Sequence, residues 1–228
     1  MKQPYKILSV GGSIIVPPQG FDISFLKRFR KLILSRVKKG EKFVLVVGGG
    51  GTCRTYQQAA KKVAGLKDVE LDWLGIYTTW YNAEFVRMLF GNLAYKEVVK
   101  DPTKKIKTNK SIIIAGGWKP GCSTDYDAVL LAKNFGAKEL VNLSNIDYVY
   151  TADPKKVKSA KPIKNLTWSE MKKIIGKKWT PGANLPFDPK ATILAAKLGL
   201  KVVFAKGTDI AQVKASLGGK QTKGTVIN

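Results

Sequence analysis

Three glycine-rich stretches hold the residues with which this chain could do chemistry. The fullest is Gly116-Gly117-Trp118-Lys119-Pro120-Gly121-Cys122-Ser123-Thr124-Asp125. A β-branched apolar run, Ser111 to Ala115, precedes it, and Ala128, Leu131, Ala132 and Phe135 recur behind it at helical spacing. That pattern is a strand, a turn and a helix, with Ser123 or Thr124 placed to cap the helix. Glycine lets a backbone lie against a ligand, and the unpaired N–H groups of a helix start attract an anion, typically phosphate. Gly48-Gly49-Gly50-Gly51 follows a second apolar strand and leads to Arg54, and Gly11-Gly12-Ser13 closes the first strand. One such turn is explained equally well by turn geometry. Three of them at strand ends suit two phosphorylated substrates held side by side, which is the arrangement of phosphoryl transfer.

What the chain lacks narrows the chemistry. It has no histidine, so imidazole is excluded as base, phosphate ligand or metal ligand. No GxxxxGK[ST] loop and no protein-kinase catalytic motif is present. Cys53 and Cys122, the two cysteines, sit in separate glycine loops, which points to a reducing cytoplasm and to small loop residues rather than ligands. No apolar run approaches the roughly 20 residues of a membrane span, and the start at Met1 has no signal-peptide core.

Forty Lys and Arg stand against 16 Asp and Glu, a formal charge of +24. A field of that sign draws polyanions, nucleotides and nucleic acid alike. The basic residues are spread in short clusters (Lys104-Lys105, Lys155-Lys156, Lys172-Lys173, Lys177-Lys178) without a nucleic-acid-binding motif. A solvated lysine-rich surface is the reading, with incidental nucleic-acid affinity as the lesser alternative.

The elements that must position these loops alternate strand and helix through most of the 228 residues. Strands are read at Lys6–Val10, Lys42–Val47, Ser111–Ala115, Lys138–Leu143, Lys201–Ala205 and Gly224–Ile227. Helices are read from Asp22 or Ser24 to Lys39, after Gly51, to Phe90 with Asp72 as a cap, and from Thr124 to Gly136. Thr167 with Glu170 forms a capping box, Pro189 opens a helix behind Asp188, and Asp209 begins a short one. The expectation is a three-layer αβα sandwich around a central, largely parallel sheet. It forms a single domain, 1–228, with lobes of about 1–136 and 137–228.

The residues also carry a resemblance. Gly11-Gly12-Ser13, Gly48-Gly49-Gly50 with Arg54, Asp72 before a long helix, Ser123-Thr124-Asp125 and the run Asp147 to Pro154 (DYVYTADP) together resemble the uridylate (UMP) kinases of the amino acid kinase family, the archaeal-like branch especially. The likeness implies ATP:UMP phosphotransfer with Mg²⁺, ATP as co-substrate, a cytoplasmic homohexamer and a role in pyrimidine nucleotide synthesis. It implies that Gly11, Gly12, Gly50 and Arg54 meet the ATP phosphates, and that Ser144, Asn145, Tyr150 and Asp153 shape the adenosine pocket. Gly49, Asp72 and the loop Gly117, Trp118, Lys119, Pro120, Gly121, Cys122, Ser123, Thr124 would hold UMP, Asp72 at the ribose and Thr124 at the pyrimidine. Asp125 and Asp188 match acidic positions that organise catalysis and Mg²⁺; no direct protein metal ligand is assigned. The acceptor is already an anionic phosphate oxygen, so no general base is needed.

Three positions depart from the family pattern. Ser9 stands where many bacterial members have lysine, which leaves Lys119 and Lys206 as candidate catalytic cations. Tyr148 replaces a glycine beside the nucleotide pocket, and Trp118 with Lys119 makes the acceptor loop bulky. Two alternatives stay open: a kinase of this fold with another acceptor, and a nucleotide- or nucleic-acid-binding protein without turnover.

Overall fold

The computed structural model describes residues 4–154, 156–176, 185–220 and 223–228. Met1 to Gln3 and the basic positions Lys155, Lys177 and Lys178 lie outside the described residues. In chain order the elements are β1 (Tyr5–Val10), α1 (Gly12–Ile15), α2 (Ile23–Val37), β2 (Lys42–Val47), α3 (Gly50–Ala64) and α4 (Asp68–Phe90). β3 (Ile112–Ala115), α5 (Thr124–Phe135), β4 (Glu139–Ser144), β5 (Val149–Tyr150), β6 (Pro162–Ile163) and β7 (Asn165–Leu166) follow. The chain closes with α6 (Trp168–Ile175), α7 (Pro189–Leu198), β8 (Lys201–Lys206), α8 (Ile210–Leu217) and β9 (Thr225–Ile227).

Seven strands form one sheet in the order β3-β2-β1-β4-β8-β9-β7. Every neighbouring pair is parallel except β8 with β9. β5 and β6 form a separate antiparallel pair. The central strands are mostly apolar in their interiors because both faces are covered, with Ser9 and Asn142 as polar positions among them. Leu8, Val10, Phe43, Leu45 and Val47 point to the side packed by α1, α2, α4 and α8. Ile7, Val44, Val46, Ile113 and Phe204 point to the side packed by α5, α6 and α7. This is the expected three-layer sandwich.

Local chemistry sets the helix ends. Asp22 accepts from Phe25 N, Ser123 from Tyr126 N and Asp188 from Ala191 N, each satisfying one of the unpaired N–H groups of a first turn. Thr167 and Glu170 form the capping box read from the sequence. Asp72 is a correction: it lies inside α4, which starts a turn earlier at Asp68. Asp68 and Glu70 favour that earlier start, because acidic side chains in a first turn oppose the helix dipole. Glu70 Oε2 also accepts from Lys67 N at 2.9 Å.

Because the pairs β3-β2-β1-β4-β8 are parallel, their C-terminal ends share one edge. Gly11, Gly48, Gly116, Asn145 and Gly207 follow those ends in turn. Two of the loops touch backbone to backbone. A Cβ on Gly12 would lie 2.1 Å from Gly50 N and 2.5 Å from Gly48 C, and Gly50 adopts φ +66. No larger residue fits at Gly12, so a Gly12→Ala protein is expected to lose about 1–3 kcal/mol, read as a Tm lowered by several degrees. An unchanged Tm would show that the two loops can part without cost.

Candidate active site

The edge holds two adjacent cavities. The first, about 240 Å³, is lined by Gly49, Asp72, Gly117, Cys122, Ser123, Thr124, Asp125 and Asp188, with Cys53, Thr79, Leu185 and Phe187 among its other walls. The second, about 250 Å³, is lined by Ser144, Asn145, Tyr150 and Asp153 together with Ile146, Thr151, Ile174 and Leu185. Leu185 belongs to both walls. Residues scattered from 49 to 188 in sequence are thereby gathered into one recess, and those from 144 to 153 into its neighbour.

Helix α4 holds the first recess in shape. Buried Asn82 donates through Nδ2 to the carbonyls of Gly48 and Gly49, at 3.0 Å each. Thr79 Oγ1 accepts from Gly117 N at 2.7 Å, and Trp80 Nε1 donates to Gly117 O at 2.6 Å. Asp72 Oδ2 accepts from Gly121 N at 2.8 Å. Burial pushes the Asp72 carboxyl above its ordinary range, while the Gly121 N–H and the Lys190 ammonium pull it back. Lys190, on the first turn of α7, donates through Nζ to Gly121 O. The Gly117–Gly121 stretch of the loop is thus pinned from α4 and from α7.

Three aspartates lie behind the loop. Asp125 Oδ1 accepts from Ser9 Oγ at 3.0 Å and from Asn142 Nδ2 at 2.9 Å. Its carboxyl is pushed up to about 7, first by burial and then by the charge of Asp188, against the lowering effect of those hydrogen bonds. Asp127 is fully buried and accepts from Trp118 N at 3.1 Å, and burial holds it well above the usual carboxylate range. Asp188 spends Oδ1 on the α7 cap, and its Oδ2 is buried without a hydrogen-bond partner among the described residues. Burial likewise raises both thiols, Cys53 and Cys122.

The remaining residues singled out in the sequence fall as follows. Gly11 follows β1 and donates to Leu143 O at 3.0 Å; Gly12 and Gly50 form the backbone contact described above. Arg54 Nη2 donates to Ser13 Oγ at 3.2 Å. Lys206 Nζ stands 3.3 Å from Asp147 Oδ2, at the end of β8 beside Ser144. Lys119 is exposed, with its ammonium 3.9 Å from the ring centre of Trp118, and neither residue nor Pro120 nor Gly121 lines the cavity. Tyr148 meets Tyr150 edge-on at 6.4 Å, and the second cavity persists beside it.

Sequence reasoning passed over Lys190, Asn142, Thr79, Asn82 and Gly207. Asn142 had a signal, a polar residue inside an apolar strand. So had Gly207, the fourth glycine at a parallel strand end, where a Cβ would lie 2.2 Å from Ile14 Cδ1. Thr79 and Asn82 look like ordinary positions of a long helix, and nothing in the sequence marks them.

The amino acid kinase family model matches residues 4–206. The uridylate kinase of Methanocorpusculum labreanum is 33% identical over 97% of this chain and 94% of its own length. That of Pyrococcus abyssi is also 33% identical, over 97% of this chain and 98% of its own. Among solved structures, the uridylate kinase of Archaeoglobus fulgidus superposes with TM-score 0.84 at 28% identity, covering 98% of this chain and all of that one.

The raised carboxyl of Asp125 has a thermodynamic consequence. Its folded-state value of about 7 lies above the ordinary 3.8. The folded protein therefore holds a proton that the unfolded chain releases. The associated stability is complete below about pH 4 and is lost as pH rises through about 7, on the order of a few kcal/mol in all. Asp125→Asn cannot titrate, so its Tm should fall less steeply than that of the parent between about pH 4 and 7. Parallel Tm–pH profiles would place the titration elsewhere.

Proposed function

The chain belongs to the amino acid kinase family, and on that premise we propose that it is a uridylate kinase, transferring the γ-phosphoryl group of ATP to UMP to give UDP and ADP. The observation that carries this reading is the pair of neighbouring cavities at the C-terminal edge of a parallel sheet, where open α/β sheets bind their ligands. One is walled by Asp72, Gly117, Cys122, Ser123 and Thr124, the other by Ser144, Asn145, Tyr150 and Asp153.

In this reading the first cavity takes UMP. Asp72 receives the ribose hydroxyls, Thr124 meets the pyrimidine, and Gly49 with the loop backbone lies along the nucleotide. The second takes adenosine, with Tyr150 against the base and Ser144, Asn145 and Asp153 around the ribose. Gly11, Gly12, Gly50 and Arg54 would line the path of the triphosphate between them. The attacking phosphate oxygen of UMP is already an anion, so the chain's task is to align it with the γ-phosphorus and to neutralise charge. Ser9 cannot do the latter. Its hydroxyl is spent on Asp125. Lys206, at the end of β8 beside Ser144, is the better placed of the two lysines proposed from the sequence, and Lys190 adds a cation at the acceptor loop.

The residues present fit a magnesium ion. Asp188 Oδ2, buried and without a hydrogen-bond partner among the described residues, belongs to a residue of the cavity wall. Among the described residues no group of three or more acidic, cysteine or histidine side chains is disposed to hold a metal by itself. That suits an ion which keeps waters and takes its other ligands from substrate phosphates. When bound, Mg²⁺ supplies charge neutralisation on the transferring phosphoryl group. Asp188, with Asp125 anchored by Ser9 and Asn142, would orient its water shell.

Assembly and location form part of the same proposal. Val69, Trp73, Tyr77, Tyr81 and Met88 expose a nearly continuous apolar stripe on α4, which supports association of copies through that helix. The hexamer is inferred from the family resemblance. No described helix is long and apolar enough to cross a membrane. A cytoplasmic enzyme, an assignment taken from the resemblance, accords with the two free cysteines.

The test is ADP release with Mg·ATP against UMP, CMP, dTMP, AMP, aspartate, carbamate and isopentenyl phosphate. Turnover confined to UMP is expected. Turnover on another acceptor alone, or none with nucleotide binding intact, would overturn the reading. In the active protein Asp72→Asn should raise KM for UMP roughly tenfold or more while leaving KM for ATP nearly unchanged, the scale of a lost hydrogen bond to a charged group. Lys206→Met should lower kcat more than Lys119→Met; the reverse order would return the catalytic cation to the acceptor loop.

A further inference from the structure

The outer face of α2 carries a charge pattern that the kinase reading leaves unused. From Ile23 to Gly40 the chain has Lys27, Arg28, Arg30, Lys31, Arg36, Lys38 and Lys39 and no acidic residue. The apolar positions Phe25, Leu26, Phe29, Leu32 and Ile33 are all turned into the core. Arg36 is engaged by Glu41, and Arg30 Nε donates to Leu89 O. Lys27, Arg28, Lys31, Lys38 and Lys39 are exposed, and none of them makes an ion pair among the described residues. Lys27, Arg30, Lys31 and Lys38, with Leu34 and Ser35, line a surface groove of about 500 Å³.

That arrangement works against the helix that bears it. Like charges at i and i+4, as in Lys27 and Lys31, repel, and the usual alternation with glutamate is missing. The acidic residue at its start is the cap Asp22, whose carboxylate accepts from Phe25 N, and no other lies in the first turn. An anionic partner on this face would relieve the repulsion. From Lys27 to Lys38 the face extends about 16 Å at the rise of an α-helix, and a nucleic-acid duplex presents a phosphate about every 1.7 Å of its axis. An anionic bilayer fits less well, since durable attachment needs an apolar or lipid element beside the polybasic one, and most of the helix's apolar side chains are turned into the core, with Ile23 at its N-terminal end exposed.

We propose that the groove along α2 is a docking surface for the phosphate backbone of nucleic acid, independent of the nucleotide cavities and of the kinase reading. Binding there is sequence-independent and neutralises about three or four phosphates, which gives a log–log salt slope of about −2.7 to −3.6.

The experiment measures fluorescence anisotropy of a labelled mixed-sequence RNA duplex with the full chain across a salt series. Two variants of equal net charge are compared: Lys27→Gln/Lys31→Gln/Lys38→Gln on α2, and Lys133→Gln/Lys158→Gln/Lys172→Gln at exposed lysines elsewhere. Glutamine keeps helix propensity close to that of lysine, and circular dichroism checks that both variants fold. The α2 variant is expected to bind about tenfold or more weakly at low salt, with the slope reduced by about 3 units. The other variant should bind within about twofold of the parent, and excess UMP and ATP should not displace the duplex. Equal losses in the two variants would make the affinity a property of diffuse charge and overturn the assignment. Displacement by nucleotides would also overturn it, as would α2-dependent binding to phosphatidylserine vesicles in preference to the duplex.

Discussion

The contact between Gly12 and the Gly48–Gly50 backbone is the constraint on which the rest of the site depends. β1 and β2 are adjacent and parallel, so the loops that leave them must either splay apart or press together. Two loops with side chains would splay. Here a Cβ at Gly12, Gly48 or Gly50 would overlap the facing backbone, and without one the loops close on each other. The closure sets where α3 begins, because Gly51 N then reaches Val16 O at 2.9 Å. It also fixes the loop whose Gly48 and Gly49 carbonyls are taken by Asn82. Turn chemistry and ligand binding, which compete as explanations of a glycine run, are here joined by a third: packing of one loop on the other.

Helix α4 converts that contact into a cavity. Its Asp72, Thr79, Trp80 and Asn82 each bond loop backbone rather than one another. Side chains anchored on a 23-residue helix hold loop atoms far more firmly than loop residues could hold themselves. The correction at Asp72 belongs here. Inside the helix, rather than at its cap, the carboxylate is released from capping duty and reaches across to Gly121. The same helix turns its exposed aromatic stripe outward.

The fold was largely legible in the sequence because its signals are local. Continuous apolar runs marked strands buried on both faces, and Asp22, Ser123, Thr167 and Asp188 marked helix starts that the structure confirms as caps. The start of α4 was misread since Asp68, Glu70 and Asp72 are all acceptable near a helix N-terminus, and propensity alone does not choose among them. At the site, Gly49, Asp72, Gly117 and Cys122 to Thr124 in one cavity and Ser144, Asn145, Tyr150 and Asp153 in the other are marked by motif, whereas Trp118 to Gly121, marked by the same loop, stay outside the cavity. The supports behind them are not so marked. Thr79 and Asn82 bond backbone more than thirty residues away, and no local pattern encodes a contact of that range. Lys190 and Lys119 differ in the same way: both are single lysines near glycine or proline, and only tertiary geometry turns one toward Gly121 and lays the other over Trp118.

Charge is divided between surface and interior in a way that the net +24 conceals. Burial raises the Asp125 and Asp127 carboxyls, and neighbouring charge raises them further, that of Asp188 on both and that of Asp125 on Asp127. With the Asp125 carboxyl pushed up to about 7 and that of Asp127 held well above the usual carboxylate range, the interior of the site carries less negative charge at neutral pH than its three carboxyl groups suggest. A phosphate-bearing ligand entering from a cationic surface therefore meets little repulsion behind the loop. In the proposed magnesium-dependent reading, positive charge beside Asp188 would lower the cost of ionising Asp125 as well. Proton loss from the aspartates and cation uptake would then be linked, with Ser9 and Asn142 bearing on both. Each donates to the same oxygen of Asp125, so the carboxyl keeps its position whether or not it holds the proton.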